Sequence, residues 1–310
     1  MVSTFHKGFI MKFDLRIAAL CAMAATGLVV LSACKGPITS AAQIGHFCPP
    51  TPIFCRLFVA NYSGNDVAAY DTDLSNPRPG IVTTDAAPVG IAANNKYVVT
   101  DRVTGSVTAF AWPLTNTSTP VATFGTSAGG FMAFDPNGNL WATSQNAVVV
   151  EYVPPFTNST VESNGLTDGI TDSYGIAFDS GGDMFISNAD SSGTIVMYPA
   201  PYTTLGTTIT VPDTNPGLHG LAVSGSQLFV ADTRNNRILV YNLPLGGNVP
   251  SVTFTTTAPL GLTVDTHGNL YITEQGHDKI DVFTPPFSNS SSPARSITSG
   301  LSGAFGLSFF

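Results

Sequence analysis

The chain repeats itself, and the period limits what it can fold into. Five segments open on a glycine and an apolar pair: Gly90-Ile91-Ala92, Gly130-Phe131-Met132, Gly175-Ile176-Ala177, Gly220-Leu221-Ala222 and Gly261-Leu262-Thr263, at spacings of 40, 45, 45 and 41 residues. A sixth opening, Gly306-Leu307-Ser308, follows after 45 residues and breaks off at Phe310. Each unit shares one internal order. A short first strand runs into a turn such as Asp135-Pro136-Asn137-Gly138-Asn139, Asp179-Ser180-Gly181-Gly182-Asp183 or Asp265-Thr266-His267-Gly268-Asn269, where Asp caps the turn and Gly supplies positive φ. A second strand follows (Leu140-Trp141-Ala142, Met184-Phe185-Ile186, Leu270-Tyr271-Ile272). A third ends in an aromatic, Phe110, Tyr152, Tyr198, Tyr241 or Phe283, 20 to 23 residues after the glycine of its unit. A variable fourth strand, such as Ser251-Val252-Thr253-Phe254, closes the unit.

One four-stranded sheet cannot cover both of its apolar faces, so such units must stack radially about an axis. The C-terminal Gly306–Phe310 supplies only a first strand, whereas Arg56–Asn61 begins at a second strand and leads to its aromatic at Tyr70. Joined, the two ends make one blade. The expected fold is all-β, a six-bladed β-propeller of four-stranded antiparallel blades, one of them closed by the C-terminal strand. Composition agrees, with 30 Gly, 22 Pro and only 10% charged residues, which suits short strands and tight turns rather than solvated helices. The units resemble NHL-type repeats from Arg56 to Phe310, most closely in Phe229-Val230-Ala231-Asp232-Thr233-Arg234-Asn235-Asn236-Arg237-Ile238. That resemblance implies a propeller that binds partners through one face.

The N-terminus reads as an address. Lys12 and Arg16 precede an apolar run over 17–31, about fifteen residues, which is short of the roughly 20 that cross a bilayer as a helix. Leu31-Ser32-Ala33-Cys34 resembles the lipobox of bacterial lipoproteins. The resemblance implies cleavage before Cys34, a lipid on its thiol and a place in the bacterial cell envelope, either periplasm-facing or on the cell surface. The domains expected are a signal peptide over 1–33, a tether over 34–55 and the propeller over 56–310. A second basic-then-apolar pattern opens at Met11, leaving Met1 and Met11 as alternative starts. Cys48 and Cys55 either form a disulfide that pins the tether to the first strand or stay as two free thiols. Without residues 1–33 the chain keeps 9 basic and 19 acidic residues, a net charge of −10. Such a surface repels phosphate backbones and argues against nucleic-acid partners.

Antiparallel blades place the entry to the first strand and the end of the second strand on one side, the top. The second-strand ends carry Asn61, Asp101, Ser144, Asn188, Asp232 and Glu274. Oxygen side chains there either form a binding face with Tyr174, with Ca²⁺ or Mg²⁺ as the ions such a ring could take, or bond the following loops. No metal ligand set and no cofactor is assigned. The residues before the glycines are Val89, Gly129, Tyr174, His219, Leu260 and Phe305. Six-bladed lactonases resembling gluconolactonase place Glu, Asn and Asp ligands at comparable entries, and this mostly apolar set departs from them. His219-Gly220-Leu221-Ala222 and the stretch ending in Glu274-Gln275 are similar to repeats of virginiamycin B lyase, which implies a histidine base and makes His219 and Glu274 the candidate catalytic pair. The nearby second histidine of that family is lacking. Gly125-Thr126-Ser127-Ala128-Gly129 matches a nucleophile elbow in letters, but a strand rather than a helix is expected after it. The sequence therefore favours a monomeric, non-enzymatic binding scaffold with a protein, glycan or cell-wall partner, and keeps as alternative a lyase or lactone hydrolase working through His219.

Overall fold

The computed structural model describes residues 55–71, 80–83, 87–103, 105–115, 117–125, 129–144 and 146–310. The signal segment, Cys34, Cys48, Ser127 and the Cys55 side chain lie outside them.

The described residues form six four-stranded sheets. β1 (Cys55–Asn61), β2 (Asp66–Asp71) and β3 (Gly80–Thr83) belong to the first blade. β4 (Pro88–Ala93), β5 (Tyr97–Arg102), β6 (Val107–Ala111) and β7 (Ala122–Phe124) make the second. The third comprises β8 (Met132–Phe134), β9 (Leu140–Ser144), β10 (Val148–Tyr152) and β11 (Asn164–Leu166). In the fourth are β12 (Ser173–Phe178), β13 (Met184–Asn188), β14 (Thr194–Tyr198) and β15 (Thr207–Thr210). β16 (Leu218–Ser224), β17 (Gln227–Asp232), β18 (Arg237–Asn242) and β19 (Val252–Thr255) follow as the fifth. β20 (Pro259–Val264), β21 (Leu270–Glu274), β22 (Lys279–Phe283) and β23 (Arg295–Ile297) are the sixth. The last strand, β24 (Ala304–Phe309), pairs with β1 through Leu57↔Phe309, Phe58↔Ser308 and Val59↔Leu307, which completes the first blade. The innermost strands touch in cyclic order, β4 to β8, β12, β16, β20, β24 and back to β4.

Local chemistry builds each blade. In the Asp135 turn, one carboxylate oxygen accepts from the amides of Asn137 at 2.9 Å and Asn139 at 2.8 Å, and Gly138 takes φ +86°. Asp179 and Asp265 repeat this with Gly182 and Gly268 at φ +87° and +78°. Six apolar clusters then fill the six seams between neighbouring blades. The third-strand aromatics Tyr70, Phe110, Tyr152, Tyr198, Tyr241 and Phe283 all belong to this core. Under the blades, Asn158, Asn248 and Asn289 each accept the backbone amide of a preceding blade's outer strand, from Thr123 at 2.9 Å, Thr210 at 3.1 Å and Thr253 at 3.0 Å. Phe156 and Phe287, two residues before two of these asparagines, stack on Phe124 and Phe254. The repeated Pro-Pro-Phe-x-Asn stretch is thus a clamp between blades.

At the axis the repeat glycine has a steric cause. A Cβ on Gly90, Gly175, Gly220, Gly261 or Gly306 would collide with the carbonyl oxygen of Gly130, His219, Leu260, Phe305 or Val89, each in the next blade. The third blade departs from the alignment read in the sequence by one residue. Its Phe131 amide donates to Thr143 Oγ1 at 2.9 Å as the Gly175 amide donates to Ser187 Oγ at 2.9 Å, so Phe131, not Gly130, holds the axial position. The turn aspartates confirm it, since Asp135 and Asp179 each lie four residues after Phe131 and Gly175.

Deletion of Gly306–Phe310 removes the innermost strand of the closing blade; its expected result is loss of the cooperative thermal transition followed by circular dichroism, and an unchanged Tm contradicts ring closure. Gly220→Ala forces a methyl into the Leu260 carbonyl, and a destabilisation of about 2–3 kcal/mol is expected in chemical denaturation.

Candidate functional site

The top mouth of the ring is closed by side chains rather than open to a polar channel. Phe131 enters the axis because it stands where the other blades carry glycine. Its ring packs against Tyr174 at a centroid distance of 5.8 Å and Phe305 at 6.1 Å, and the buried Leu260 joins the same cluster. Beneath this plug, the small residues Ala92, Ala133, Ala177, Ala222, Thr263 and Ser308 help to line a narrow channel of about 210 Å³. Beside the plug lies a depression of about 420 Å³, walled by Tyr62, Val89, Val103, Gly129, Tyr174 and Phe305. Tyr62 and Val103 stand exposed on its rim, at 40% and 54%.

Register decides which polar residues share a position. Thr143, Ser187 and Thr273 oppose Val149, Ile195 and Ile280 on the third strands, and Asp101 opposes Val107 in the same place. Ala60 and Ala231 fill it in the remaining blades, opposite Val67 and Ile238. The three hydroxyls do the same work. Each accepts an amide of its own axial strand, from Phe131, Gly175 or Gly261 at 2.8–2.9 Å. Each then donates to a carbonyl of the next blade, Tyr174 at 2.6 Å, His219 at 2.5 Å or Phe305 at 2.6 Å. Asp101 meets the first requirement, since its Oδ1 accepts the Gly90 amide, but its Oδ2 has no hydrogen-bond partner although the side chain is fully buried. Burial pushes its carboxyl up from the ordinary 3.8 to about 7, against the amides of Gly90, Gly129 and Val89 that favour the anion.

The second-strand ends proper are therefore Asn61, Arg102, Ser144, Asn188, Asp232 and Glu274, and most are occupied by their own loops. Asn61 donates to Asp66 at 2.7 Å and to the Gly300 carbonyl at 2.9 Å. Asn188 accepts the Thr171 amide at 3.0 Å and donates to the Gly169 carbonyl at 2.8 Å. Asp232 accepts the Gly217 amide at 3.0 Å and holds Arg237 in an ion pair at 2.8 Å. These three side chains are buried, at 1%, 0% and 0% exposure, so ring ligands they are not positioned to be without rearrangement of the loops. Of the residues assigned to a binding face from the sequence, Tyr174 lines the depression. Asp101 lies behind two of its lining residues, Val89 and Gly129. Among the described residues, no group of three or more His, Cys, Asp or Glu could hold a metal ion.

His219 faces the mouth of the fifth blade in a defined protonation state. Its Nδ1 lies 3.0 Å from the Gly217 carbonyl and 2.9 Å from the Thr233 hydroxyl, whose own proton goes to the Pro259 carbonyl. Both neighbours must therefore accept, so Nδ1 carries hydrogen and Nε2 keeps its lone pair. Burial holds the imidazole below its ordinary 6.5, and the Tyr174 ring meets it edge-on at 4.4 Å. Glu274 sits at 1% exposure in the sixth blade, paired with Lys279 at 2.9 Å, which also reaches Asp281 at 3.1 Å; burial raises the Glu274 carboxyl. Among the described residues no hydrogen bond or ion pair joins Glu274 to His219.

No family model and no curated protein matches the sequence. Solved structures do. A chain of the nidogen/laminin complex aligns with TM-score 0.60 and 14% identity over 82% of this chain and 97% of that one. The likeness is one of fold. A streptogramin B lyase aligns with TM-score 0.51 and 16% identity over 77% of this chain and 73% of that one. Virginiamycin B lyase from Staphylococcus aureus gives TM-score 0.50 and 15% identity over 66% and 69%. Both lyases and the complex component share the six-sheet ring with this chain, and fold alone assigns no activity.

Asp101 makes a linkage prediction. Its folded pKa lies above the unfolded value, so its contribution to stability is fully present below about pH 4 and is lost as pH rises through about 7. Asp101→Thr, which restores the hydroxyl of the sister blades, is expected to flatten this slope and to stabilise the protein at pH 8 by on the order of 2–4 kcal/mol. Urea unfolding of both proteins at pH 5 and pH 8 measures it, and equal slopes refute the assignment.

Proposed function

We propose that the chain is a lipid-anchored envelope propeller of the NHL-like kind that acts as a binding scaffold through its top face. The observation that carries this reading is the division of that face. The axis is plugged by Phe131, Tyr174, Phe305 and Leu260, while an aromatic-walled depression stays open beside it. Exposed tyrosine and valine around a concave surface suit recognition of a partner side chain or glycan ring. The occurrence of the same fold in the nidogen/laminin complex supports a protein partner. The lipid on Cys34, the tether to residue 55 and the envelope location rest on the sequence.

Capture from a solubilised envelope fraction tests the reading. A component retained by the protein is expected to be lost by the Tyr62→Ala/Tyr174→Ala double variant while Tm holds within a few degrees. Equal capture by that variant removes the face from the proposal.

A second reading is supported by His219, whose neutral ring presents a lone pair at Nε2 as a general base requires. On this reading the protein is a lyase or hydrolase of lactones or cyclic esters. Turnover of such substrates by the wild type, abolished in His219→Ala, is the expected result; a panel with no turnover, or turnover untouched by the substitution, sinks it.

A further inference from the structure

We infer that the depression on the top face is a binding site for an organic cation, with Asp101 as its counter-charge. This rests on the top-face reading above and names the ligand class that face takes.

Asp101 is the one carboxylate at a position that five sister blades fill with alanine, serine or threonine. Those residues satisfy the axis at no electrostatic cost, whereas a buried acid with an unbonded oxygen costs stability. Folding therefore does not require a carboxylate here, and a residue that violates the local rule beside a cleft is a mark of a site. Its place fits. Besides that of Gly90, the amides that favour its anion include those of Val89 and Gly129, and both of these residues line the depression. Gly129 has no side chain, and a Cβ there would meet only the Val103 carbonyl, at 3.9 Å, so the wall at this point is backbone with open space beside it. Among the described residues, β4, β6 and the entry Gly129-Gly130-Phe131 carry no ionisable side chain. Arg102, next along β5, alternates to the other face of the sheet.

The walls choose the kind of cation. Tyr62, Tyr174 and Phe305 surround the space, and aromatic faces attract a diffuse positive charge while supplying no ligands to a metal ion. A volume of about 420 Å³ admits a substituted ammonium head with part of its chain. An alkylated ammonium sheds its water at small cost, rests against the rings and leaves the charge over the floor, where ionised Asp101 stabilises it. Cation binding then competes with the Asp101 proton, so affinity must rise with pH.

Titration calorimetry of the purified protein with choline and with its neutral isostere 3,3-dimethylbutan-1-ol tests this. Choline is expected to bind in the millimolar range or tighter and the isostere at least about tenfold more weakly. Choline affinity is expected to increase between about pH 6 and pH 8. Asp101→Asn and Asp101→Thr are expected to erase both the charge preference and the pH dependence while folding normally. No heat of choline binding, equal affinity for the isostere, or an Asp101→Thr protein that keeps the preference overturns the inference; should neither variant fold, the isostere and pH comparisons on the wild type still decide it. If envelope capture is lost in Tyr62→Ala/Tyr174→Ala yet choline does not bind, the cation fails and the binding face stands.

Discussion

Everything in this molecule is arranged around how closely six backbones approach one axis. At five axial positions the chain carries glycine because a methyl group there would occupy the space of the next blade's carbonyl oxygen. Where a hydroxyl stands three residues into the second strand, it bonds its own axial strand and the neighbouring one together. At the third, fourth and sixth blades the axial strand is thus tied to the next blade by hydrogen bonds. The apolar seams supply burial; the axial contacts fix the angle and register at which the sheets meet.

Against this uniform frame, departures acquire meaning. Phe131 occupies the axis in place of glycine, and the consequence is a closed mouth, because its ring gathers Tyr174, Phe305 and Leu260 around it. One blade earlier, Asp101 replaces the stitching hydroxyl and brings a buried acid beneath the same surface. Phe131 packs into the seam with the fourth blade, Asp101 lies in the second blade next to Val89, and the depression takes Val89, Gly129 and Tyr174 from these blades among its lining residues. Repetition provides stability in this fold, and chemistry is found where repetition fails.

The ring of polar second-strand ends behaves in the opposite way. Asn61, Asn188 and Asp232 recur because each accepts an amide near its top loop, the two asparagines donating to a loop carbonyl as well, and burial completes their occupation. Glu274 is likewise engaged with Lys279. His219 differs, since the Gly217 and Thr233 oxygens determine its tautomer and leave one nitrogen available.

Much of the architecture was legible along the chain. Periodic glycines, turn aspartates and third-strand aromatics are local requirements of backbone sterics and sheet packing, so they recur as letters, and the incomplete final unit announced that the ends share a blade. The one-residue offset of Phe131 was not, because Gly129 and Gly130 imitate the motif and only the hydrogen-bond register shows which residue meets the axis. Asp101 was misgrouped with the second-strand ends for the same reason, its true counterparts being Thr143, Ser187 and Thr273. By itself the sequence determined the number of blades, their strand order and the closure, since these follow from spacing and pattern. Only the tertiary structure decided that the mouth is plugged, that a depression lined by Tyr62, Tyr174 and Phe305 opens on that face and that one carboxylate is buried next to its lining residue Val89, because those facts depend on which atoms of separate blades come within a few ångströms of each other.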